Sequence, residues 1–587
     1  MQNGSYLFIG DKVILRVRNR VCNTTEELIS SPLFDAVLRR FINELIKRNS
    51  KYLAIFPTCR YDEMQHEILK QALFYLLNLP GEKVVKLVPG SEPLFHDPFL
   101  FNEFVERLYN YWRRQHRLVI CDAVFDRLDL KPYRTFNDLV ESLMHVIRSA
   151  YRNIQENITG DHPKIYRQVS AGAEIGAIAL PAHINYPPGL YQHLQEIFII
   201  RQVLMYPPMI FNTPTNKREG VFEKVGVSPL EGLSLNPAEW LCYPAKVGSL
   251  LIMVYFSLEL FELGFSLSNL FELADERDLE SKPDAIYLFG VPPDQLKPHD
   301  GNRTIFYDDE ANGMLVAAIP NLDAYSYFGY LKKMVLTLHN IKRMKQQAFP
   351  VHGAIFQIKV RGVRPVTMAL MGDTGAGKSE TIEALRQIAG EQIEDLTIIA
   401  DDMGSLEISE SGEVLAYGSE VGAFVRLDDL QKGYALGQID RSIIMNPDQV
   451  NARVVLPVTR YQYITRGWAL DCILYANNYE KVDANHPEIE LFTSKEQALS
   501  VFKRGAVMSK GTTTSTGMVE NYFANIFGPP QYRQLHDGLA EKFFGHFFNR
   551  KIMVGQMRTM LGISGQELNG PLTSAKALLN FLREEMH

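Results

Sequence analysis

A glycine-rich loop that ends in lysine and serine is the segment of this sequence best suited to chemistry. Residues 372–379 read GDTGAGKS and fit the pattern GxxxxGK[ST]. Glycines allow positive φ and let backbone N–H groups approach phosphate oxygens, and a helix that follows adds its positive end. Lys378 can bridge the β- and γ-phosphates, and the Ser379 hydroxyl can ligate Mg²⁺. The loop therefore predicts a nucleotide site.

Two adjacent carboxylates follow the loop. The apolar run IIA leads into Asp401 and Asp402. Carboxylates at the end of a buried strand can hold Mg²⁺ directly or through water, and one of them can act as a general base towards a hydroxyl. We expect metal binding here rather than a solvated turn.

The elements around these residues must position them. Residues 366–371 (VTMALM) predict a strand before the loop, and SETIEALRQIAG predicts a helix that ends at a glycine. Residues 304–320 predict a hairpin with Asn-Gly in its turn. The segment at 572–586 predicts an amphipathic helix. This texture indicates an α/β (mixed α+β) chain with the loop in its C-terminal part.

The first 300 residues show mixed patterns and no chemical motif. Helical periodicity covers 33–48, 62–78 and 134–157, and apolar strand-like runs cover 7–17 and 117–125. Several prolines in 183–220 predict an irregular surface region. We expect two domains, with residues 1–320 substrate-side or of unknown role and residues 321–587 catalytic.

Composition and charge narrow the class of protein. The chain has 587 residues, 46% of them hydrophobic, which is enough for more than one large core. Its net charge of −7 does not favour nucleic acid as a partner. The five cysteines are scattered and form no CxxC pair, so we expect a reducing cytoplasm rather than a disulfide framework or a zinc cluster.

Two segments bear on targeting. The apolar run near the N-terminus is short and is broken by Asp11 and Lys12, so we do not expect a signal peptide. Residues 247–271 are strongly apolar but contain Glu259 and Glu262, and a charge at mid-bilayer is costly. We expect one or two buried helices there and no membrane partner.

The loop and its surroundings resemble a known superfamily. GDTGAGKSE followed by IADD is similar to the HPr kinase/phosphorylase signature, GxSGxGKSE and VADD, and VHGAIFQIKVRGV resembles that family's HG-containing strand. The related ATP- or GTP-dependent phosphoenolpyruvate carboxykinases have a YxGxxKK segment, a histidine, the loop and a DD strand end. Here YFGYLKK at 327–333 resembles that segment, and His352 follows Lys333 by 19 residues.

The resemblance implies a fold and a site. It implies a phosphoenolpyruvate carboxykinase-like, two-domain architecture with the phosphate loop in the C-terminal domain. It also implies that Lys333, His352 and Asp402 bind a transition metal, for which an N,N,O set suits Mn²⁺. Tyr327 would face a substrate carboxylate, and Asp401 would serve the nucleotide-bound Mg²⁺.

Further residues are carried over with the same resemblance. The predicted catalytic set is Lys378, Asp402, His352 and Lys333, with Tyr327 and Arg60 as substrate ligands. The predicted nucleotide contacts are Gly372, Asp373, Thr374, Gly375, Ala376, Gly377, Lys378, Ser379 and Glu380. Residues 510–532 resemble, more loosely, the region that closes the nucleotide pocket. The sequence does not decide which basic residue touches the transferred phosphate; the candidates are Arg453, Arg460, Arg466, Lys503, Arg504 and Lys510.

The sequence departs from the carboxykinase pattern and leaves three functions open. The loop has Asp373, Ser379 and Glu380 where carboxykinases usually read GLSGTGKTT, and threonines replace the arginine of their ERG segment. The first function is carboxykinase-like transfer from ATP or GTP to an enolate such as that of oxaloacetate, with Mg²⁺ and Mn²⁺. The second is an HPr-kinase-like enzyme acting on a protein serine or a small hydroxyl compound. The third is a nucleotide-binding regulator without turnover.

Overall fold

The computed structural model describes residues 5–17, 21–57, 60–121, 131–161, 169–218, 222–299, 303–388, 392–427, 436–510, 516–567 and 569–585. The chain is mixed α/β with several mixed sheets, as the sequence predicts. It divides into two compact units. The first comprises Met1–Leu180 and Ile200–Tyr206, and the second comprises Pro181–Ile199 and Pro207–His587.

The first unit sets helices against a small sheet. Its strands run in the order β1-β2-β3-β4-β5. They are β1 (Ser5–Ile9), β2 (Lys12–Val17), β3 (His116–Cys121), β4 (Ile175–Leu180) and β5 (Ile199–Met205). Its helices are α1 (Thr25–Ile29), α2 (Pro32–Lys47), α3 (Glu63–Tyr75), α4 (Gly81–Leu87), α5 (Pro98–Arg114) and α6 (Lys131–Thr159). Val13, Leu15 and Val17 alternate along β2 and enter the core formed with these helices.

A largely buried sheet occupies the N-terminal part of the second unit. Its strands follow the order β8-β9-β11-β13-β12-β7, with β10 on β8. They are β7 (Glu223–Val225), β8 (Trp240–Val247), β9 (Leu250–Ser257), β10 (Glu272–Leu273), β11 (Ala285–Val291), β12 (Ile305–Asp309) and β13 (Met314–Pro320). The helix α7 (Phe261–Ser266) follows β9. Strands β9, β11 and β13 are parallel and buried throughout, which fits their continuous apolar sequences.

The second large sheet carries the phosphate loop. Its order is β22-β18-β17-β14-β15-β23-β27-β24, with β16 on β14. Its strands are β14 (Phe349–Val360), β15 (Val366–Met371), β16 (Ile393–Ala400), β17 (Met403–Ile408), β18 (Val414–Gly418), β22 (Trp468–Ala469), β23 (Cys472–Asn477), β24 (Ile489–Leu491) and β27 (Met553–Arg558). Strands β15, β23 and β27 are parallel.

Two small sheets and six further α-helices lie in the described part of this unit. The sheet β19-β21-β20-β6 consists of β6 (Met209–Phe211), β19 (Gly422–Arg426), β20 (Ile443–Met445) and β21 (Arg453–Pro457). A hairpin is formed by β25 (Ala506–Lys510) and β26 (Thr516–Glu520). The helices are α8 (Phe328–Lys345), α9 (Lys378–Ile388), α10 (Tyr461–Thr465), α11 (Lys495–Arg504), α12 (Arg533–Asn549) and α13 (Asn569–Glu585).

Most of the local predictions are confirmed. The Asn-Gly hairpin is β12 and β13, paired antiparallel, with Gly313 at φ 60° in its turn. The strand–loop–helix around the phosphate loop is β15 followed by α9, and the C-terminal amphipathic segment is α13. These elements follow local periodicity because each has one strongly apolar face or is buried on both faces.

Two predictions are wrong. Residues 247–271 are not one or two helices, because the run begins with strand β9 and only its second half is helical. No helix in the described part of the chain is long and apolar enough to cross a membrane. Residues 183–220 are not wholly irregular, since β5 and β6 lie among the prolines. The compact units divide the chain elsewhere, with β7 to β13 in the second unit, and the functional domains expected on either side of residue 320 stay a prediction.

Candidate active site

The phosphate loop joins the carboxyl end of β15 to the first turn of α9. Gly375 and Gly377 have φ of 78° and 94°, where L side chains are strained. A Cβ on Gly377 would lie 2.6 Å from Thr559 Oγ1, whereas one on Gly375 would meet nothing within 4 Å. Gly377 is therefore required for space as well as for backbone conformation.

Lys378 is folded back onto the loop. Its Nζ donates to the carbonyl oxygens of Gly372 at 2.7 Å and Asp373 at 3.1 Å, and the residue is 6% exposed. Both carbonyls lie in the loop that would surround a phosphate. An ammonium group at this position supplies positive charge to that cradle.

Side chains from three other segments hold the loop in place. Thr559 Oγ1 donates to the Ala376 carbonyl at 2.6 Å, and Asn478 Nδ2 donates to the Gly375 carbonyl at 2.9 Å. The Asp373 carboxylate accepts from Thr374 N at 2.7 Å and from Asn521 Nδ2 at 2.9 Å. The loop conformation is thus fixed before any ligand arrives, which lowers the entropy cost of binding.

The remaining predicted nucleotide contacts lie where the motif places them. Ser379 and Glu380 are half-buried in the first turn of α9, and Thr374 is exposed at the tip of the loop. A Ser379 hydroxyl at the helix start can reach a cation bound to a phosphate.

His352 and Asp402 meet beside this loop. His352 pairs with Met403 across β14 and β17, and Asp402 lies between β16 and β17. His352 Nε2 is 3.0 Å from Asp402 Oδ1, and His352 Nδ1 donates to the Ala524 carbonyl. A carbonyl oxygen only accepts, so Nδ1 carries the hydrogen of that bond and Nε2 is the ring atom that faces the carboxylate. A proton or a metal ion can lie between Nε2 and the Asp402 oxygen, so the pair fits a cation.

Lys332 fixes the other side of Asp402. Its Nζ donates to Asp402 Oδ2 at 2.8 Å and lies 3.3 Å from Glu420 Oε1. Lys332 is 2% exposed and Glu420 is fully buried. Burial alone would raise the pKa of Asp402, but the charge of Lys332 and the bond from His352 hold it well below its ordinary value. The carboxylate is therefore kept ionised, as a metal ligand must be.

Glu420 has the opposite shift. Burial raises the pKa of its carboxyl to about 8, although Lys332 acts to lower it and Asp402 adds to the rise. The sequence analysis missed this residue. Its signal was a lone charge in the apolar run VLAYGSEVGAFV, which is a pattern that a buried carboxylate shares with many surface turns.

Lys333 lies half-buried with its Nζ 4.8 Å from the centre of the Phe527 ring. Burial and the charge of Arg218 lower the pKa of Lys333 to about 7, against the opposing effect of Asp402 and Asp373. An amine with this pKa loses its proton near neutral pH and becomes able to ligate a metal. Electrostatics thus link Lys333 to Asp402.

Tyr327 and Lys333 both lie within electrostatic reach of Arg218. Burial raises the pKa of Tyr327, while a bond from Arg453 and the charge of Lys332 lower it. Burial lowers the pKa of Arg218, with Tyr330 and Tyr327 acting in the opposite direction. Tyr327 therefore has a bond to Arg453 and lies within electrostatic reach of Arg218, a residue that the sequence analysis did not single out.

The basic residues that are candidates for contacting the transferred phosphate lie in different surroundings. Arg453 contacts Tyr327, whereas Lys503 pairs with Asp537 at 2.9 Å and Arg504 pairs with Glu520 at 3.1 Å. Arg466 lies 3.8 Å from the centre of the Trp468 ring, and Arg460 is exposed at the start of α10. The Lys510 side chain and residues 511–515 lie outside the described residues.

Arg60, which the sequence analysis names as a substrate ligand, lies in the first compact unit. Arg60 is exposed there, and its backbone N–H donates to the Pro57 carbonyl at 3.1 Å. Its assignment as a substrate ligand stays a prediction.

No protein-family model and no curated protein matches this chain. The resemblance therefore rests on the residues at 327–333, 352 and 372–402 and on the weaker match after them. Within the second unit, the structure brings His352, Asp402, Lys332 and Glu420 into direct contact, with Lys333 and Lys378 in electrostatic reach of Asp402.

Proposed function

We propose that this chain transfers a phosphoryl group from a nucleoside triphosphate to a carboxylate-bearing enolate, in the manner of a phosphoenolpyruvate carboxykinase. The observation that carries the proposal is the His352–Asp402 pair, 3.0 Å apart, beside a preformed phosphate loop. A simple nucleotide site needs only the loop and its metal. The additional buried nitrogen and oxygen donors fit a second divalent cation, for which Mn²⁺ is well suited.

The loop residues would bind the triphosphate. Backbone N–H groups and Lys378 would neutralise charge on the γ-phosphoryl group, and Lys378 would exchange its contacts with the Gly372 and Asp373 carbonyls for phosphate oxygens. Ser379 and Asp401 would serve the nucleotide-bound Mg²⁺. The divalent ions, when bound, supply charge stabilisation that lowers the barrier to transfer.

The cations near Lys333 support an anionic acceptor. Arg453 bonds to Tyr327, Arg218 lies within electrostatic reach of Tyr327 and Lys333, and none of these groups is needed to bind the nucleotide loop. Guanidinium groups recognise carboxylates through charge-assisted hydrogen bonds. With oxaloacetate as acceptor, the C–C bond to the departing CO₂ breaks, and its electron pair forms the enolate whose oxygen attacks the γ-phosphorus. The bond from that phosphorus to the β,γ-bridging oxygen breaks, and the electron pair stays on the diphosphate.

A kinase for a hydroxyl acceptor is the second candidate. The GKSE sequence of the loop and the HG sequence of β14 favour a kinase. Transfer to a hydroxyl group needs a general base, and in a kinase Asp402 would be that base. The charge of Lys332, which donates to Asp402 Oδ2, holds the pKa of Asp402 well below its ordinary value, and this favours a ligand role over a base. The enolate reading needs no such base.

The direct test is an assay with oxaloacetate, ATP or GTP, Mg²⁺ and Mn²⁺. We expect phosphoenolpyruvate from the wild-type chain and a loss of at least about 100-fold in Lys378→Ala, because a preorganised charge on the transferred group is removed. Nucleotide binding without phosphoenolpyruvate would overturn the carboxykinase reading. Transfer of label from γ-labelled ATP to a protein or metabolite by purified wild-type chain, but not by Lys378→Ala, would then support the kinase. Binding without any transfer would support a regulator.

A further inference from the structure

One short segment touches both the phosphate loop and the candidate metal ligands. Residues 521–527, here called the bridging segment, follow strand β26. At its start, Asn521 Nδ2 donates to Asp373 Oδ2 at 2.9 Å. In its middle, the Ala524 carbonyl accepts from His352 Nδ1. At its end, the Phe527 ring lies 4.8 Å from Lys333 Nζ.

The backbone of the bridging segment is strained. Phe523, Ala524 and Asn525 have φ of 44°, 57° and 63°, and none of the three is glycine. Left-handed conformations at consecutive non-glycine residues are unfavourable and persist only where the surroundings hold them. Phe523 and Ala524 are fully buried, and the Phe523 ring packs edge-on against Phe349. The turn therefore acts as one rigid piece.

This conformation determines what His352 presents to a metal. The Ala524 carbonyl accepts the hydrogen bond from Nδ1, so Nε2 is the ring atom that faces Asp402 and can ligate a metal. Orientation of a metal-binding histidine by a second hydrogen bond commonly changes metal affinity by about 10–100-fold. A shift of the bridging segment would change that bond and the Lys333–Phe527 contact together.

We infer that the bridging segment couples nucleotide binding to metal binding, with Asn521 as the positioning residue that makes the connection. The inference rests on the proposed function, because it requires both ligands. The negative charge of a phosphate bound in the loop acts on the Asp373 carboxylate, which accepts a hydrogen bond from Asn521. The displacement of Asp373 is passed through Asn521 to the rigid turn and so to His352 and Lys333.

Direct attraction between the phosphates and the metal also couples the two sites, and a neutral substitution separates the two contributions. Asn521→Ala removes the amide contact with Asp373 but changes no charge. The matched control is Asn478→Ala, which also removes an amide from the loop, at Gly375. Asn478 bonds to the Met508 backbone instead of the bridging segment.

The experiment measures the affinity of N-methylanthraniloyl-ADP, and of the guanine analogue, by fluorescence in excess Mg²⁺ with and without Mn²⁺. Free Mn²⁺ is read by electron paramagnetic resonance, so that metal held by free nucleotide is accounted for. The coupling factor is the ratio of the two dissociation constants. We expect a factor of about five or more in the wild type. We expect it to fall at least about threefold in Asn521→Ala and to stay at the wild-type value in Asn478→Ala.

The outcomes distinguish the inference from the proposed function. Equal coupling in the wild type and in Asn521→Ala, or an equal loss in Asn478→Ala, would overturn the role of the bridging segment alone. A wild-type chain that binds neither nucleotide nor Mn²⁺ would overturn the proposed function, and this inference with it. Asn521→Ser serves as the second variant where Asn521→Ala does not fold, since it also withdraws the amide from Asp373.

Discussion

Lys332 and Lys333 are neighbours in sequence, yet their surroundings shift their charges in opposite directions. Burial alone would lower the pKa of Lys332, but Asp402 and Glu420 raise it above its ordinary value, so this side chain stays an ammonium. Burial and Arg218 lower the pKa of Lys333 to about 7. One lysine therefore anchors a carboxylate, and the other can become a neutral nitrogen ligand.

The first prediction concerns metal affinity and pH. Because a proton must leave Lys333 before it can ligate a metal, Mn²⁺ should bind about tenfold more weakly for each pH unit below about 7. Above that pH the affinity should level off. Mn²⁺ titration followed by electron paramagnetic resonance between pH 6 and 8 measures this, and Lys333→Met should weaken binding and flatten the profile. A flat profile in the wild type would contradict the role of Lys333.

The second prediction concerns Glu420 and stability. Its folded pKa of about 8 lies above the ordinary 4.5, so the folded state keeps a proton that the unfolded chain loses. The resulting stabilisation is present below about pH 4.5 and is lost as pH rises to about 8. Across this window the free energy of unfolding of Glu420→Gln should rise relative to the wild type by up to about 1.4 kcal/mol per pH unit.

Urea denaturation at several pH values tests this. The exposed Glu410→Gln is the matched control and should track the wild type at every pH. A constant difference between Glu420→Gln and the wild type from pH 5 to 8 would show that the Glu420 carboxyl is ionised throughout.

At the scale of elements, the phosphate loop depends on two glycines for different reasons. Both have positive φ, but only Gly377 is also crowded, by Thr559. Gly375→Ala should cost about 1–2 kcal/mol of stability through backbone strain. Gly377→Ala should cost about 1–3 kcal/mol more, because a methyl group is forced into a packed contact. Chemical denaturation measures the stability of both variants. Equal losses of stability would mean that Thr559 moves aside without an energetic penalty.

The bridging segment gives a prediction of the opposite sign. Ala524 at φ 57° should gain about 0.5–1 kcal/mol of stability on replacement by glycine, since relief of left-handed strain exceeds the added entropy of the unfolded chain. The same change at Ala540, inside α12, should lower stability by about 1 kcal/mol or more. Thermal unfolding of the two variants decides this. A loss of stability in Ala524→Gly would mean that the turn is not strained.

Sequence patterns predicted the elements better than the contacts between them. The strand, loop and helix around Lys378 follow from local periodicity and glycine placement, and so does the hairpin at 304–320. Glu420, Arg218 and the Ala524 carbonyl reach the site from distant positions by tertiary packing, which local patterns do not encode. The apolar run at 247–271 was misassigned because a buried strand and a buried helix are alike in hydrophobicity.

At the scale of the whole molecule, the motifs all lie in the second of the two compact units. All the residues of the loop and of the His352–Asp402 pair lie in the second unit, which also includes the sheet of β7 to β13. The boundary predicted at residue 320 was placed where the hydrophobic pattern of the sequence changes. The structure instead places β7 to β13 in the second unit, where β6, which also precedes residue 320, pairs with the later strand β20.

The central claim is that Lys333, His352 and Asp402 hold a divalent cation beside a nucleotide in the loop. X-ray diffraction from crystals grown with Mn²⁺, Mg²⁺ and a non-hydrolysable ATP analogue tests it most directly, with anomalous data collected at the manganese edge. The account predicts an anomalous peak at about 2.0–2.3 Å from Lys333 Nζ, His352 Nε2 and an Asp402 oxygen, with the triphosphate on the loop. A triphosphate on the loop with no manganese at these three atoms would contradict it.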